Sequence, residues 1–260
     1  MTDPLLSSID ARGVALVTLN RPEKHNAFDG DTIARLNKVL GALGNEPRAR
    51  VIVIAGAGTT FCAGADLDWM KHMATLDAAA NLADARALAE TLATLDTLPK
   101  PTIARVHGSA FGGGLIACCD IAVGVTDARF ALTEVRLGVA PATISPYVIA
   151  AIGTRLARRY MLTAEPMSAA TALAAQLLHE VCEPAKLGER VAAHVELLLQ
   201  AGPEALRECK EIIREVRAAG SPTEALRLGT AHRLARLRMS DEGREGMRAF
   251  LEKRPPTWAR

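Results

Sequence analysis

The chain has 260 residues, of which 49% are apolar and 23% are charged, and its formal net charge is +2 at pH 7. This length fits one large domain, or one domain with a small appendage, and the composition excludes disordered, collagen and coiled-coil classes. Aromatic residues make up only 3% of the chain. The low charge and the scarcity of aromatics argue against a nucleic-acid-binding protein, which needs a basic surface or stacking rings.

The N-terminal residues and the cysteines indicate the compartment. No apolar stretch reaches the ~18 residues of a membrane span, and residues 1–10 lack the basic and apolar regions of a secretory signal. The five cysteines include one adjacent pair and no CxxC pair, which indicates neither a zinc site nor a disulfide framework. We therefore expect a cytoplasmic protein without membrane contact.

The first part of the chain alternates predicted strands and helices. Residues 14–19 are predicted as a strand, and apolar residues between Ile33 and Leu43 recur with helical spacing. Residues 51–54 form a β-branched run, which is typical of a parallel strand buried on both faces. A glycine-containing loop follows over residues 56–66.

The same succession then occurs again. An Ala/Leu-rich helix is predicted over residues 74–98, and two prolines end it. A strand over residues 102–106 leads into a second glycine loop at 107–114, a short helix at 115–119 and a strand at 121–125. This alternation predicts an α/β fold with crossover connections.

Beyond about residue 186 only helical periodicity remains, in segments that begin near Lys186, Pro203, Pro222 and Asp241. A tail of ~70 residues cannot bury much apolar surface alone, so we expect it to pack on the core or on another subunit. We place the boundary between a core of residues 1–190 and a helical region of residues 191–260.

The two glycine loops are candidates for binding one oxygen atom. A loop between a buried strand and a helix presents free backbone N–H groups, and two such loops side by side form an oxyanion hole. One donor of this kind contributes ~3–4 kcal/mol to a transition state. The alternative is that the glycines only permit tight turns. Neither loop matches a nucleotide-phosphate motif.

Five segments, in order along the chain, together resemble the enoyl-CoA hydratase/isomerase (crotonase) family. They are NRPEKHNA at 20–27, FCAGADL at 61–67, PKPTIA at 99–104 with the glycine run 112–114, FALTEVRLG at 130–138 and EGMRAFLEKRPPTW at 245–258. The resemblance implies a crotonase-like spiral of ββα units with a C-terminal helical trimerisation region. It also implies a homotrimer, or a hexamer that is a dimer of trimers.

The resemblance further implies the catalytic residues. The N–H groups of Ala65 and Gly113 would bind the thioester carbonyl and stabilise an enolate. Glu134 matches the family's acid/base glutamate, and a partly buried carboxylate suits proton transfer because its pKa rises toward neutrality. A solvated surface glutamate is the alternative for this residue type.

The resemblance also implies a set of residues that contact CoA. These are Lys24, Ala63, Ala65, Asp66, Leu67, Asp68, Gly113 and Lys253. CoA is part of the substrate, so no separate cofactor is expected. No metal is expected either, because His25, His72 and His107 lack metal-ligand spacing.

Four further polar or nucleophilic positions have structural interpretations. Cys118 and Cys119 are expected to be small buried hydrophobes, because the sequence places no basic partner beside them. Asp66 and Asp120 are expected to cap or brace loops.

The second glycine loop departs from the family pattern. Two-glutamate hydratases carry a second Glu two residues after the glycine run, where this chain has Ile116 following Leu115. The stretch from the glycines to Asp120 is also two residues shorter than in the family. We expect residues 111–115 to leave the usual path or to be poorly ordered without ligand, with weak hydratase activity as the consequence.

The resemblance favours hydration of a 2-enoyl-CoA to a 3-hydroxyacyl-CoA. The sequences of several longer segments resemble those of bacterial methylglutaconyl-CoA hydratases of leucine degradation. Arg105 or Arg136 would then bind the distal carboxylate of that substrate. The missing second glutamate favours the alternative of a Δ3-Δ2-enoyl-CoA isomerase. A non-catalytic acyl-CoA-binding or RNA-binding protein on the same fold is the third possibility.

Overall fold

The computed structural model describes residues 3–259, which form two β-sheets surrounded by helices. The strands are β1 (Leu5–Ile9), β2 (Val14–Leu19), β3 (Val51–Gly56), β4 (Thr102–Val106), β5 (Ala110–Phe111), β6 (Ile121–Val125), β7 (Arg129–Ala131), β8 (Met167–Ser168) and β9 (Glu180–Cys182). The helices are α1 (Gly30–Asn45), α2 (Leu67–Met73), α3 (Ala78–Thr97), α4 (Gly114–Cys118), α5 (Ser145–Thr163), α6 (Ala169–Ala174), α7 (Leu187–Gln200), α8 (Pro203–Ala219), α9 (Glu224–Met239) and α10 (Asp241–Leu251).

The larger sheet has six strands in the order β1-β2-β3-β4-β6-β9. All neighbours pair in parallel except β1 and β2, which are antiparallel. Residues 51–55 of β3 are buried along their whole length, as expected for a strand covered on both faces. The smaller sheet, β5-β7-β8, lies beside the second glycine loop and helps to position it.

The four predicted strands are confirmed as β2, β3, β4 and β6, and the short predicted helix is α4. The expected helix over residues 74–98 is wrong at its beginning. A turn separates α2 from α3, because the Asp77 carboxylate accepts the Ala80 N–H at 2.8 Å and starts a new helix.

The C-terminal helices begin at Leu187, Pro203, Glu224 and Asp241, close to the predicted positions. The expected boundary between residues 190 and 191 falls inside α7, whose apolar face is buried against the core. The division into a core and a C-terminal helical region stays a prediction. Residues 1, 2 and 260, at the ends of the two expected regions, lie outside the described residues.

Candidate active site

A cavity of about 580 Å³ lies between the two glycine loops, helices α2 and α3, and residues 133–144. Its wall is mainly apolar. Among the described residues that line it, the carboxylates are Asp84 and Glu134, and no Lys, Arg or His side chain lines it. Such a wall suits an apolar ligand that is oriented by a few polar groups.

The first glycine loop is held by Phe28, which leaves the Ala65 N–H free. Phe28 donates its N–H to the Gly64 carbonyl at 2.7 Å, and Asp66 donates its N–H to the Phe28 carbonyl at 2.8 Å. In extended backbone, successive N–H groups point to opposite sides, so the N–H of Ala65 points away from Phe28. Ala65 lines the cavity, and this N–H has no acceptor among residues 3–259.

The second glycine loop is fastened to its neighbours on both sides. Phe111 donates its N–H to the Cys62 carbonyl at 2.9 Å, which joins the two loops, and Gly112 donates to the Ala131 carbonyl at 2.9 Å. Gly113 has a φ of +62° and is the N-cap residue of α4. Its N–H donates to no acceptor within residues 3–259. The expected departure of this segment from the path of relatives stays a prediction.

Glu134 follows β7 and begins a 3-10 turn at Glu134–Leu137. Its side chain is half-buried, lines the cavity, and has an Oε2 atom with no hydrogen-bond partner among the described residues. A Cβ atom at Gly112 would lie 3.9 Å from Glu134 Oε1, so the carboxyl lies beside the glycine loop. Burial raises the pKa of Glu134 above its ordinary value.

The expected CoA-contact residues divide into two groups. Ala63, Ala65, Leu67 and Gly113 line the cavity, whereas Lys24, Asp66, Asp68 and Lys253 do not.

The polar members of the second group have partners within the chain. Asp66 is buried, caps α2 by accepting the Asp68 N–H at 2.8 Å, and pairs with Arg21 at 2.9 Å. Its expected capping role is thus confirmed. Lys24 pairs with Asp68 at 2.7 Å. Lys253 is exposed beyond the end of α10.

The two arginines expected to bind a distal carboxylate do not line the cavity. Arg136 donates to the Ala164 carbonyl at 2.9 Å, and Arg105 lies in β4. At the place of the second family glutamate, Ile116 is 2% exposed and lines the cavity. Within residues 3–259, Glu134 is therefore the carboxylate that lies beside the glycine loop.

Two helices supply cavity residues that sequence reasoning missed. Asp84, Leu88 and Leu92 of α3 line the cavity, together with Trp69 and Met73 of α2. The spacing of four residues in α3 is the signal that places these side chains on one helix face. Alanines surround them, which hides that signal.

The remaining interpretations concern residues away from the cavity. Cys118 and Cys119 are buried, as predicted, and burial raises the pKa of Cys119 to about 12, so its thiol stays protonated. Asp120 accepts the Thr102 N–H at 2.8 Å and pairs with Lys210 at 2.6 Å, which confirms a bracing role.

Metal-ligand clusters and membrane-spanning helices have no counterpart in the described part of the chain. Across residues 3–259 no three His, Cys, Asp or Glu side chains cluster as metal ligands would. None of the helices described above combines the length and the apolar character needed to cross a membrane.

Comparisons with known proteins agree with this geometry. The enoyl-CoA hydratase/isomerase family model matches residues 10–260. The chain is 35% identical to a 2,3-dehydroadipyl-CoA hydratase of Escherichia coli, over 94% of each protein. It is 30% identical to a crotonyl-CoA hydratase of Syntrophomonas wolfei, over 93% of this chain and 92% of that one.

A solved structure shows the same fold. An enoyl-CoA hydratase from Shewanella pealeana superposes with a TM-score of 0.95 at 41% identity, covering 98% of this chain and 96% of that one. The expected fold, a crotonase-like spiral with helices at the C-terminus, is thus confirmed. The chain belongs to the enoyl-CoA hydratase/isomerase family.

Proposed function

We propose that the chain is an enoyl-CoA hydratase, which adds water across the double bond of a 2-enoyl-CoA to give a 3-hydroxyacyl-CoA. One observation carries the proposal. The unpartnered carboxyl of Glu134 lies beside a glycine loop, in a cavity that also presents the free N–H groups of Ala65 and Gly113. Buried polar groups ordinarily have partners, so the buried Oε2 atom of Glu134 is suited to a ligand. The two N–H groups belong to residues that line the same cavity and are open to the same ligand.

The reaction follows from these groups. The thioester oxygen accepts hydrogen bonds from the N–H groups of Ala65 and Gly113. Glu134 takes a proton from water as the water oxygen bonds to Cβ, and the displaced π electrons form an enolate whose oxyanion the two donors stabilise. Glu134 then delivers its proton to Cα, and the thioester carbonyl is restored. One carboxyl with a raised pKa serves both transfers.

A Δ3-Δ2-enoyl-CoA isomerase is the second candidate, and Ile116 favours it. An isomerase moves a proton between two carbons and needs no carboxylate to orient water. The apolar Ile116 stands where a second glutamate would hold that water. The non-catalytic alternative is disfavoured, because an unpartnered buried carboxyl has no evident structural use.

The proposal extends to the kind of acyl group that the substrate carries. The relatives are named for different substrates, so likeness alone does not assign one. No cationic side chain lines the cavity among the described residues, so we propose a neutral, apolar acyl chain. That methylglutaconyl-CoA is the substrate stays a prediction from the subgroup resemblance. Among the described residues, the cavity wall has no cation that would bind its distal carboxylate.

We also propose a homotrimer or hexamer, with CoA as the only carrier group and no separate cofactor. Several large apolar side chains on α8, α9 and α10 are exposed, including Ile213, Leu228, Met239, Phe250 and Leu251. Lys253 follows these exposed residues and would contact the CoA of a neighbouring subunit. A cytoplasmic location accords with five free cysteines. Size-exclusion chromatography with light scattering measures the mass of the assembly and tests this proposal.

A substrate panel tests the function. Crotonyl-CoA, a 3-enoyl-CoA and methylglutaconyl-CoA are each incubated with the protein, and the products are followed by ultraviolet absorbance and mass. A hydratase adds the mass of one water to crotonyl-CoA, whereas an isomerase moves the 3-enoyl double bond at unchanged mass. Turnover of none of them by the wild-type protein would overturn the proposal. Glu134→Gln serves as the control for contaminating activity.

A further inference from the structure

Asp84 is a carboxylate on the cavity wall that the mechanism above does not use. It lies on α3, lines the cavity and is half-buried. Among residues 3–259 its carboxylate forms no ion pair or side-chain hydrogen bond of its own. A half-buried carboxylate without a partner keeps its negative charge on the cavity wall, where it acts on a charged ligand.

Asp84 lies on the acyl side of the reaction centre. Leu92 is the deepest α3 residue of the wall, and its Cδ2 atom is 3.4 Å from where a Cβ of Gly114 would lie. Asp84 is two helical turns earlier, so it lies about 12 Å further along the helix. It also lies near His72, at the end of α2 opposite to Leu67 and the predicted CoA contacts.

Among the described residues, no cationic side chain on the cavity wall compensates the charge of Asp84. The neighbouring wall is formed by apolar side chains such as Leu88, Met70 and Met73. Burial raises the pKa of Asp84, and the charge of His72 on α2 opposes that rise. In a cavity of low polarity, two like charges repel much more strongly than in water.

We propose that Asp84 is a specificity-determining residue, which excludes acyl groups that carry a distal carboxylate. The inference rests on the proposed function, because it concerns the substrate of the same cavity. A neutral acyl chain passes the Asp84 side chain without electrostatic cost, whereas an ω-carboxylate would meet it as a like charge. A crotonyl group carries no distal charge, so its turnover does not depend on the charge of Asp84.

A matched pair of substrates tests the inference. 2-Hexenoyl-CoA and 2,3-dehydroadipyl-CoA have six acyl carbons each and differ in a terminal methyl or carboxylate group. The wild-type protein, Asp84→Asn and Glu90→Gln are compared on both at pH 8. Glu90 is an exposed residue of the same helix outside the cavity, so its variant removes one negative charge without changing the wall.

The expected result is a change in preference. Wild-type kcat/KM should be at least tenfold higher for 2-hexenoyl-CoA, and Asp84→Asn should raise kcat/KM for 2,3-dehydroadipyl-CoA at least tenfold. Activity on 2-hexenoyl-CoA should change less than twofold, and Glu90→Gln should behave as wild type. Equal effects of Asp84→Asn on both substrates, or a wild type without preference, would overturn the inference.

Two further measurements keep the test decisive. Adipyl-CoA and hexanoyl-CoA are compared as inhibitors of wild-type crotonyl-CoA turnover, which requires no variant to fold. Weaker inhibition by adipyl-CoA supports the inference, and equal inhibition contradicts it. The substrate panel separates the two proposals. If the wild type turns over none of its substrates, the proposed function is contradicted, whereas turnover without a charge preference contradicts only the role of Asp84.

Discussion

The cavity and the C-terminal helices contain buried glutamates in opposite settings. In the cavity, Glu134 has no ion-pair partner among the described residues, and no cationic side chain lines the cavity wall there. Between α8 and α9, the buried Glu208 lies 2.8 Å from Arg236, 3.1 Å from Arg233 and 3.3 Å from Arg207. One glutamate is left available to a ligand, and the other is neutralised within the fold.

The two settings produce opposite pKa shifts. Burial raises the pKa of Glu134. Burial alone would also raise the pKa of Glu208, but the hydrogen bond and charge of Arg236, with the charges of Arg233 and Arg207, outweigh it and lower the pKa. Ion pairing, rather than burial, therefore separates a carboxylate suited to catalysis from one that holds two helices together.

The largest expected effect is on turnover, from Glu134→Gln. The amide keeps the size of the side chain but cannot transfer a proton, so kcat/KM should fall about 10³-fold, or about 4 kcal/mol. Steady-state kinetics with crotonyl-CoA measures this loss, and calorimetric titration with a saturated acyl-CoA should show nearly unchanged affinity. More than a tenth of wild-type activity in the variant would remove Glu134 from the mechanism.

The next largest effect is on stability, from Glu208→Ala. Removing this carboxylate leaves three arginines close together without their shared partner, so the free energy of unfolding should fall by about 3 kcal/mol. Urea denaturation measures it. Turnover per folded molecule should be unchanged, because α8 contributes no residue to the cavity wall. A loss of less than about 1 kcal/mol would show that the arginines are solvated well enough alone.

A smaller effect separates the two glutamates by pH. The pKa of Glu134 is raised above 4.5 in the folded state, so the wild type loses stability relative to Glu134→Gln as pH rises from 4.5 through that folded value. The pKa of Glu208 is lowered, so its contribution is complete above 4.5 and is lost as pH falls through its folded value. The difference in free energy of unfolding between the wild type and each variant, Glu134→Gln or Glu208→Gln, is measured from pH 3 to pH 8. This difference should fall with rising pH for Glu134→Gln and should rise for Glu208→Gln. Slopes of the same sign would contradict the comparison.

The smallest effect concerns the backbone of the cavity loop. Gly113 has a φ of +62°, so Gly113→Ala should lower the free energy of unfolding by about 1 kcal/mol. Gly41 lies inside α1, where an added Cβ would meet no atom within 4 Å, so Gly41→Ala should raise it by up to about 1 kcal/mol. Thermal unfolding of both variants checks this pair. A stabilised Gly113→Ala would show that the loop does not need its left-handed conformation.

Much of the core could be predicted from the sequence, because its signals are local. The β-branched run at 51–54 and the prolines after residue 98 act on their immediate neighbours, and the structure confirms β3 and the end of α3. The predicted helical conformation of residues 74–77 is wrong because one side chain, Asp77, caps α3 and lets it begin only at Ala78. Strands of two residues, such as β5, carry no periodicity.

The site was predictable where a backbone motif defines it, and not where distant side chains meet. Ala65 and Gly113 lie on the cavity as expected, since their loops carry the family segments. Lys24 and Asp68 lie outside its lining and pair with each other, a contact across 44 residues that no local pattern encodes. Asp84 faces the cavity only because α3 packs beside the glycine loop, which is a property of the tertiary fold.

The most direct test of the account follows the proton itself. Crotonyl-CoA is incubated in D₂O with stoichiometric wild-type protein or Glu134→Gln, and deuterium at Cα of the product is counted by mass spectrometry and NMR. The wild type should place one deuterium at Cα of each molecule that it hydrates. The variant should give no labelled product over the same time, although it still binds crotonyl-CoA. Labelled product from Glu134→Gln at a rate similar to that of the wild type would contradict the assignment of proton transfer to Glu134.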